Sequence, residues 1–239
     1  QLPKSVVVTV SRSFLIFVYN FISLRMHENI SKDSIEKWLK GWSLSRELPL
    51  PTKFKSGFKV DVGYEKQKVR YVFPNLNEDF IELANSIVEP WFFLKVCATP
   101  DALKNLLPPR WVIQPQGYIM TSSQRMIDKS VNLRDEYKME FEEYNSTTVI
   151  KIIAPNGDLA ATGRVVLVDD LAIYDRIYTD VNHKRKGLAT VLMKELEKIA
   201  LSKEIYGNFL VATEEGKLLY KSLGWDLSCL YTSVVIPGH

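Results

Sequence analysis

The sequence predicts a fold of the α/β (α+β) type, a mixed and mostly antiparallel sheet flanked by helices, with an N-terminal α/β extension. Three observations predict it. From residue 137 onward four strand-like segments follow one another before any long helix. The helix that follows, Leu188–Ser202, carries one apolar stripe of Leu188, Val191, Leu192, Leu196 and Ile199. A short apolar strand, a second helix and a last strand then complete the order β-β-β-β-α-β-α-β. Hairpin-linked strands that feed a β-α-β unit give a sheet with one parallel crossover in an antiparallel background.

The elements follow in chain order. Ser31 can cap a helix over Ser31–Lys40, whose Ile35, Trp38 and Leu39 share a face. Leu48–Gly57 is rich in turn-formers and reads as a loop. Phe58, Val60 and Val62 alternate with Lys59 and Asp61, a strand signature, and Val69–Phe73 is a second strand stopped by Pro74. Asp79–Val88 reads as a helix, Trp91–Ala98 as a central strand, and Thr99–Leu106 as a short helix with Pro100 in its first turn. Trp111–Met120 is a further strand, and 121–136 a polar linker or surface segment. Tyr137–Tyr144 and Thr147–Ala154 are strands, and Asn156-Gly157 turns the chain into Leu159–Val168. Leu171–Thr179 is the fourth strand. Asn208–Ala212 (strand), Glu214–Leu223 (helix, ended by Gly224) and Leu230–Ile236 (strand) close the chain. No internal repeat is evident. The division is 1–25, an upstream or non-native segment; 26–130, an N-terminal α/β module; and 131–239, the domain that carries the chemistry.

Composition narrows the function classes. The 239 residues hold 46% apolar and 25% charged side chains, an ordinary globular mixture, with a net charge of +3 that calls for neither nucleic acid nor membrane. Cys97 and Cys229, far apart in sequence, are no disulfide framework and suit a cytoplasmic protein. His27, His183 and His239 show no metal-ligand spacing, so no metal is expected. No GxSxG elbow and no GxxxxGK[ST] loop occurs. Residues 5–24 are strongly apolar, but Arg12 leaves an uncharged run too short for a spanning helix of about 20 residues. Met26 reads as the natural start; a buried element or a targeting segment is the alternative.

The chemistry concentrates where the fourth strand ends. Ile177-Tyr178-Thr179 leads into Lys184-Arg185-Lys186-Gly187, and the long helix starts at once with Leu188-Ala189-Thr190. A helix N-terminus offers unsatisfied N–H groups and a positive dipole end, where phosphates bind. Gly187 lets the backbone approach a phosphate, Ala189 keeps the helix start slim, and three cations surround the same point. One glycine is not a dinucleotide fingerprint, so the chemistry alone reads as a pyrophosphate cradle.

Lys184-Arg-Lys-Gly187-Leu-Ala189 resembles motif A of the GNAT superfamily, the Gcn5-related N-acetyltransferases, with Lys184 where the family prefers Arg or Gln and Thr179 at an apolar position. Leu219-Tyr220-Lys-Ser-Leu-Gly224-Trp225 resembles motif B, with Thr213 in place of a frequent Asn. The resemblance covers about 137–236 and extends to the element order, though the two helices usual after the first strand do not appear between Tyr137 and Val149. Tyr174–Ile177, Leu210–Thr213 and Leu230–Ser233 look like a bacterial subgroup whose N-terminal half is an added or degenerate GNAT-like module.

The resemblance implies transfer of an acetyl group from acetyl-CoA to a primary amine by direct attack. Ile177, Tyr178 and Thr179 would offer backbone groups to the pantetheine arm, and Lys184, Arg185, Lys186, Gly187, Leu188, Ala189 and Thr190 would hold the pyrophosphate. Tyr220 would be the acid for the departing thiolate, or a packing residue. Asp175, which alternation puts on the face of Ile173 and Ile177 unless a bulge intervenes, would be base or substrate contact, or an ion-pair partner of Arg176. Glu140 and Glu142 are weaker candidates for the base, and Cys229 as nucleophile lacks a histidine in its sequence vicinity. Trp91, Phe92, Phe93, Trp111 and Tyr118 are core residues, or the lining of a pocket between the halves. The acceptor would be a small amine, a protein lysine or a protein N-terminus, and a homodimer is compatible with the sequence. The rival readings are an inactive CoA-binding module for regulation or assembly, and a nucleotide- or phosphate-binding protein.

Overall fold

The computed structural model describes residues 30–238. The 1–25 division, the apolar stretch and the start at Met26 lie outside the described residues.

Helix α1 (Lys32–Leu44) opens on Ser31, whose side chain accepts from the Ser34 amide. It runs past Lys40 because Trp42 extends the stripe of Ile35, Trp38 and Leu39, all buried. Gly41 is the point of closest approach to the sheet: a Cβ there would lie 2.7 Å from Cγ1 of Ile173. Gly41→Ala gains about 1 kcal/mol of helix propensity but overpacks a full contact, typically a loss of about 1–3 kcal/mol. The expected outcome is a lower urea midpoint at unchanged slope, whereas an exposed helix glycine would give a higher one.

The N-terminal half continues as β1 (Thr52–Phe54), β2 (Gly57–Tyr64), β3 (Gln67–Phe73), α2 (Glu78–Ser86), β4 (Phe92–Cys97), α3 (Pro100–Lys104), β5 (Val112–Ile113) and β6 (Gly117–Ser122). The expected loop 48–57 contains β1, an edge strand paired with β2. The single strand expected over Trp111–Met120 is two, separated by Pro115, which cannot donate to a ladder. The 121–136 segment forms no helix or strand after Ser122, yet it packs: Met126 is buried, and its amide donates to Glu197 Oε1. The C-terminal half is β7 (Lys138–Tyr144), β8 (Thr147–Ile153), β9 (Leu159–Val168), β10 (Leu171–Thr179), a 3-10 turn (Val181–His183), α4 (Leu188–Leu201), β11 (Gly207–Ala212), α5 (Glu214–Ser222) and β12 (Asp226–Val235).

All twelve strands join one sheet in the order β1-β2-β3-β4-β12-β6-β11-β10-β9-β8-β7, with β5 also on β12. This order reads alike from both ends. The path β2-β3-α2-β4-α3-β6 repeats as β9-β10-α4-β11-α5-β12, with a parallel pair in each half, β3 with β4 and β10 with β11. The final strand of each path crosses over, β12 pairing with β4 and β6 with β11, and the two meet antiparallel at the centre. A structural repeat is therefore present where the sequence displays none. Backbone pairing defines it, and backbone pairing leaves few marks on side-chain identity.

Each face of the sheet carries its own core. Helices α4 and α5 pack on one face, with Leu192, Leu196 and Tyr220 in a cluster that includes Tyr174. On the other face α1 packs across β9 and β10, where Trp38 stacks on Phe209 and meets Tyr231 edge-on. The helices missing between Tyr137 and Val149 are thus answered on this face by a helix from the N-terminal half.

Candidate active site

The parallel pair β10/β11 is hydrogen-bonded only through Leu171–Ile173 and Gly207–Phe209. Beyond that point β10 stays on β9 and β11 stays on β6, so the strands part. The β10 edge from Tyr174 onward is left without a strand partner on the β11 side. A register shift between Asp175 and Tyr178 adds one residue to β10, and Arg176 takes φ +52°. This bulge reverses the alternation. Ile173 faces α1 against Gly41, whereas Ile177 lies on the α4 face beside Gly163. Asp175 stays on the α1 face, so the expectation that it shares a face with both isoleucines is corrected.

The predicted cradle lies at the mouth of this split. Gly187 is the N-cap of α4 at φ +80°, and no side chain caps the helix. The amides of the first turn thus keep their donor capacity. A Cβ at position 187 would meet Val131 Cγ1 at 2.6 Å, so both backbone conformation and space require glycine. Leu188 is buried in the α4 core, and Ala189 and Thr190 are half-buried. The three cations diverge in their partners. Lys184 pairs with Glu215 at 2.7 Å. Lys186 donates to the Tyr137 hydroxyl at 3.2 Å, and that hydroxyl contacts His183 Nδ1 at 2.9 Å. Arg185 is exposed and has no carboxylate partner among the described residues. Tyr178 is exposed, with its hydroxyl on Asp180 at 3.2 Å, while Thr179 buries a hydroxyl without a partner.

The repeat in the N-terminal half lacks these features. There β3 and β4 stay paired over five residues, Val69–Phe73 with Phe92–Val96. Helix α2 is capped by the Asn77 side chain and starts with Glu78 and Asp79, which repel an anion.

On the α1 face the split opens into a cavity of about 620 Å³. Its walls come from both halves: Trp38, Trp42 and Arg46 of α1, Arg70 of β3 and Lys95 of β4, against Asp175, the 211–215 segment and Tyr231. Asp175 is held by Arg46, with contacts of 2.9 and 2.8 Å, and by Ser45 Oγ at 2.6 Å. Its partner is thus Arg46 from the far half, and Arg176 is carried outward by the bulge. The end of α1 is itself clamped, because Tyr144 and Arg164 donate to the Ser45 carbonyl.

Tyr220 lies in the α4/α5 core beside Trp225, and burial pushes its phenol well above the ordinary tyrosine range. A phenol that remains protonated can act as an acid and not as a base. Thr213, at the Asn position of motif B, caps α5 by accepting from the Gly216 amide. Glu140 and Glu142 lie exposed on β7, the sheet edge, away from the cavity. Cys229 is buried, and the nearby Cys97 thiol together with burial pushes its thiol up, the reverse of activation.

The acetyltransferase (GNAT) family model matches residues 117–225, the segment that contains the split, the Gly187 helix start and Tyr220. That segment of the chain is a GNAT-family domain by this match. No curated protein matches it. Among solved structures it is similar in fold to a GCN5-related N-acetyltransferase from Kribbella flavida, with 12% identity, a TM-score of 0.59, and 83% of this chain covering 93% of that one. A GNAT-family acetyltransferase structure from Novosphingobium aromaticivorans gives 14%, 0.53, 85% and 96% in the same order. A Drosophila protein gives 12%, 0.56, 96% and 98%, so the likeness extends over the N-terminal half as well.

The GNAT site residues expected from sequence divide accordingly. Those at 177–179 and 184–190 gather along the split and its mouth. Tyr220 is on the α4 face, and Asp175 is on the cavity face across the same strand. The five aromatic residues named as a pocket alternative do not line the cavity; Trp111, for one, is buried with its indole N–H on the Ala84 carbonyl. Trp38, Trp42, Arg46, Arg70, Lys95 and Tyr231 line it without having been singled out. A signal for two of them was present: Arg70 and Lys95 each interrupt a strand that is otherwise apolar.

Proposed function

We propose that this GNAT protein transfers an acetyl group from acetyl-CoA to a primary amine of small size. The observation that carries the reading is the strand split that joins an uncapped, glycine-started helix on one side to a cavity with aromatic walls on the other. Acetyl-CoA supplies the thioester carbonyl and a thiol leaving group. The amides of residues 187–190 would bind its pyrophosphate with Arg185 alongside, and the free backbone edge at Ile177, Tyr178 and Thr179 would align the pantetheine arm. A backbone N–H at the β10 bulge would stabilise the oxyanion. Tyr220 would protonate the departing thiolate. Asp175, held by Arg46, would contact the acceptor or take its proton. A pocket of about 620 Å³ with Trp38, Trp42 and Tyr231 in its walls favours a small amine over a protein lysine. In this reading the N-terminal half is a GNAT-like unit that holds no cofactor and walls the acceptor site instead. The two free thiols fit a reducing cytoplasm.

Calorimetric titration with acetyl-CoA and with ATP, followed by a thiol-release screen of amines, tests the proposal. Saturable acetyl-CoA binding with ATP at least tenfold weaker, and release of CoA with some amine, is the expected result. Equal preference for ATP would leave a phosphate-binding protein in its place.

A further inference from the structure

Two cations of the cavity have no counter-ion among the described residues. Arg70 is buried at 8% exposure, stacks on Trp42 at 3.6 Å, and among the described residues has no carboxylate within ion-pair distance. Its neutral neighbour is Gln67, whose amide oxygen accepts from Nε and Nη2 at 3.0 Å each when it faces the guanidinium. Lys95 projects into the same cavity and donates to Ser233 Oγ at 2.6 Å, again with no carboxylate at ion-pair distance among the described residues. The cavity carboxylate Asp175 is not available to them, because Arg46 and Ser45 already occupy its oxygens. Two like charges share a poorly solvated space. Such an arrangement costs stability unless an anion completes it. The strain is visible in their acidities: burial pushes Arg70 down to about 10, and burial with Arg70 and Arg46 nearby pulls Lys95 well below the lysine range.

The carboxylates of the cavity are arranged the other way. Glu214 and Glu215 stand exposed at the start of α5, on the side of the split. Each is already paired, Glu214 with Lys217 and Glu215 with Lys184, so the uncompensated charge of the cavity is the cationic pair in the N-terminal half. We infer that the acceptor is an amine that carries a carboxylate, an amino acid in chemical class, with its carboxylate on Arg70 and Lys95 and its amine turned toward the β10/β11 split. The inference rests on the acetyl-transfer reading above. The amine nitrogen forms the new C–N bond to the acetyl carbon and the C–S bond breaks. The thiolate gains a proton, and the ammonium loses two, one of them net to solvent. An arginine fork with one lysine matches a single carboxylate, and a guanidinium on a tryptophan face is pre-oriented to receive it. Trp38 and Tyr231 leave the acceptor side chain an apolar wall.

The test compares matched acceptors on the full chain. Thiol release is measured with the common L-amino acids, with the carboxamide of each active one, and with tryptamine, spermidine and O-phosphoethanolamine. At least one amino acid is expected to turn over, with kcat/KM for its carboxamide lower by about 100-fold, the scale of a lost charge-assisted pair. Arg70→Met and Lys95→Met should each raise KM for the amino acid at least tenfold, leave acetyl-CoA affinity within twofold, and narrow the acid-to-amide ratio. That ratio in the unaltered protein decides the matter even if a variant fails to fold. Amides or neutral amines that serve as well as the acids overturn the inference while acetyl transfer stands. O-Phosphoethanolamine above every carboxylate overturns it in favour of a phosphate acceptor. Failure to bind acetyl-CoA removes the underlying reading, and this one with it.

Discussion

Gly187→Glu is expected to abolish acetyl-CoA binding. Three effects act at one position. The left-handed conformation at φ +80° penalises any side chain, by about 1–2 kcal/mol. The new Cβ presses on Val131 Cγ1, itself part of a segment that packs against the α4 core. The carboxylate then stands where the helix dipole and the first-turn amides would receive a phosphate, and it can fold back to cap them. Together these should weaken binding by at least 100-fold in a calorimetric titration. Gly187→Ala carries only the steric part and should fall between. A Glu variant that binds acetyl-CoA as tightly as the unaltered protein would place the cofactor elsewhere.

Tyr220→Phe is the second large effect. The substitution preserves the ring contact with Trp225, and no protein group hydrogen-bonds the hydroxyl among the described residues. Stability should therefore change by less than about 1 kcal/mol. If the phenol protonates the leaving thiolate, kcat falls by about 100-fold, the low end for general acid catalysis, with acetyl-CoA affinity unchanged. Because burial raises this phenol's pKa, the acid form persists through neutral pH, and the alkaline limb of kcat should not lie near the ordinary tyrosine value. An unchanged kcat would make Tyr220 a packing residue.

The C-terminal half was legible because its signals are local. The stripe of α4 and the basic loop before Gly187 are each written within a dozen residues, and the strands 137–179 stand nearly where alternation puts them. Local signals failed where tertiary contact decides. Arg176 is an ordinary residue in a strand pattern, and only the ladder to β9 reveals the bulge that divides the faces of Ile173 and Ile177. The partner of Asp175 is 129 residues away, at Arg46. The cavity is assembled from α1, β3, β4, β6, β10, β11 and β12, so no single window contains it. Arg70 and Lys95 did show as charges inside apolar strands, but their neighbourhood depends on β12, which enters the N-terminal half from the far end of the chain.

That crossing of β6 and β12 sets the order in which the protein can be built on the ribosome. β4 presents an open edge from the moment it is made, and its partner β12 follows it by about 130 residues or more. β6 waits likewise, since both of its neighbours, β11 and β12, follow it by about ninety residues or more. Long-range pairing of this kind is slow and leaves strand edges exposed to other chains meanwhile. The cavity, with walls on both sides of the crossing, closes only once β12 has been made. A product that lacks β12 therefore has a cavity open on one side and a free edge on both β4 and β6.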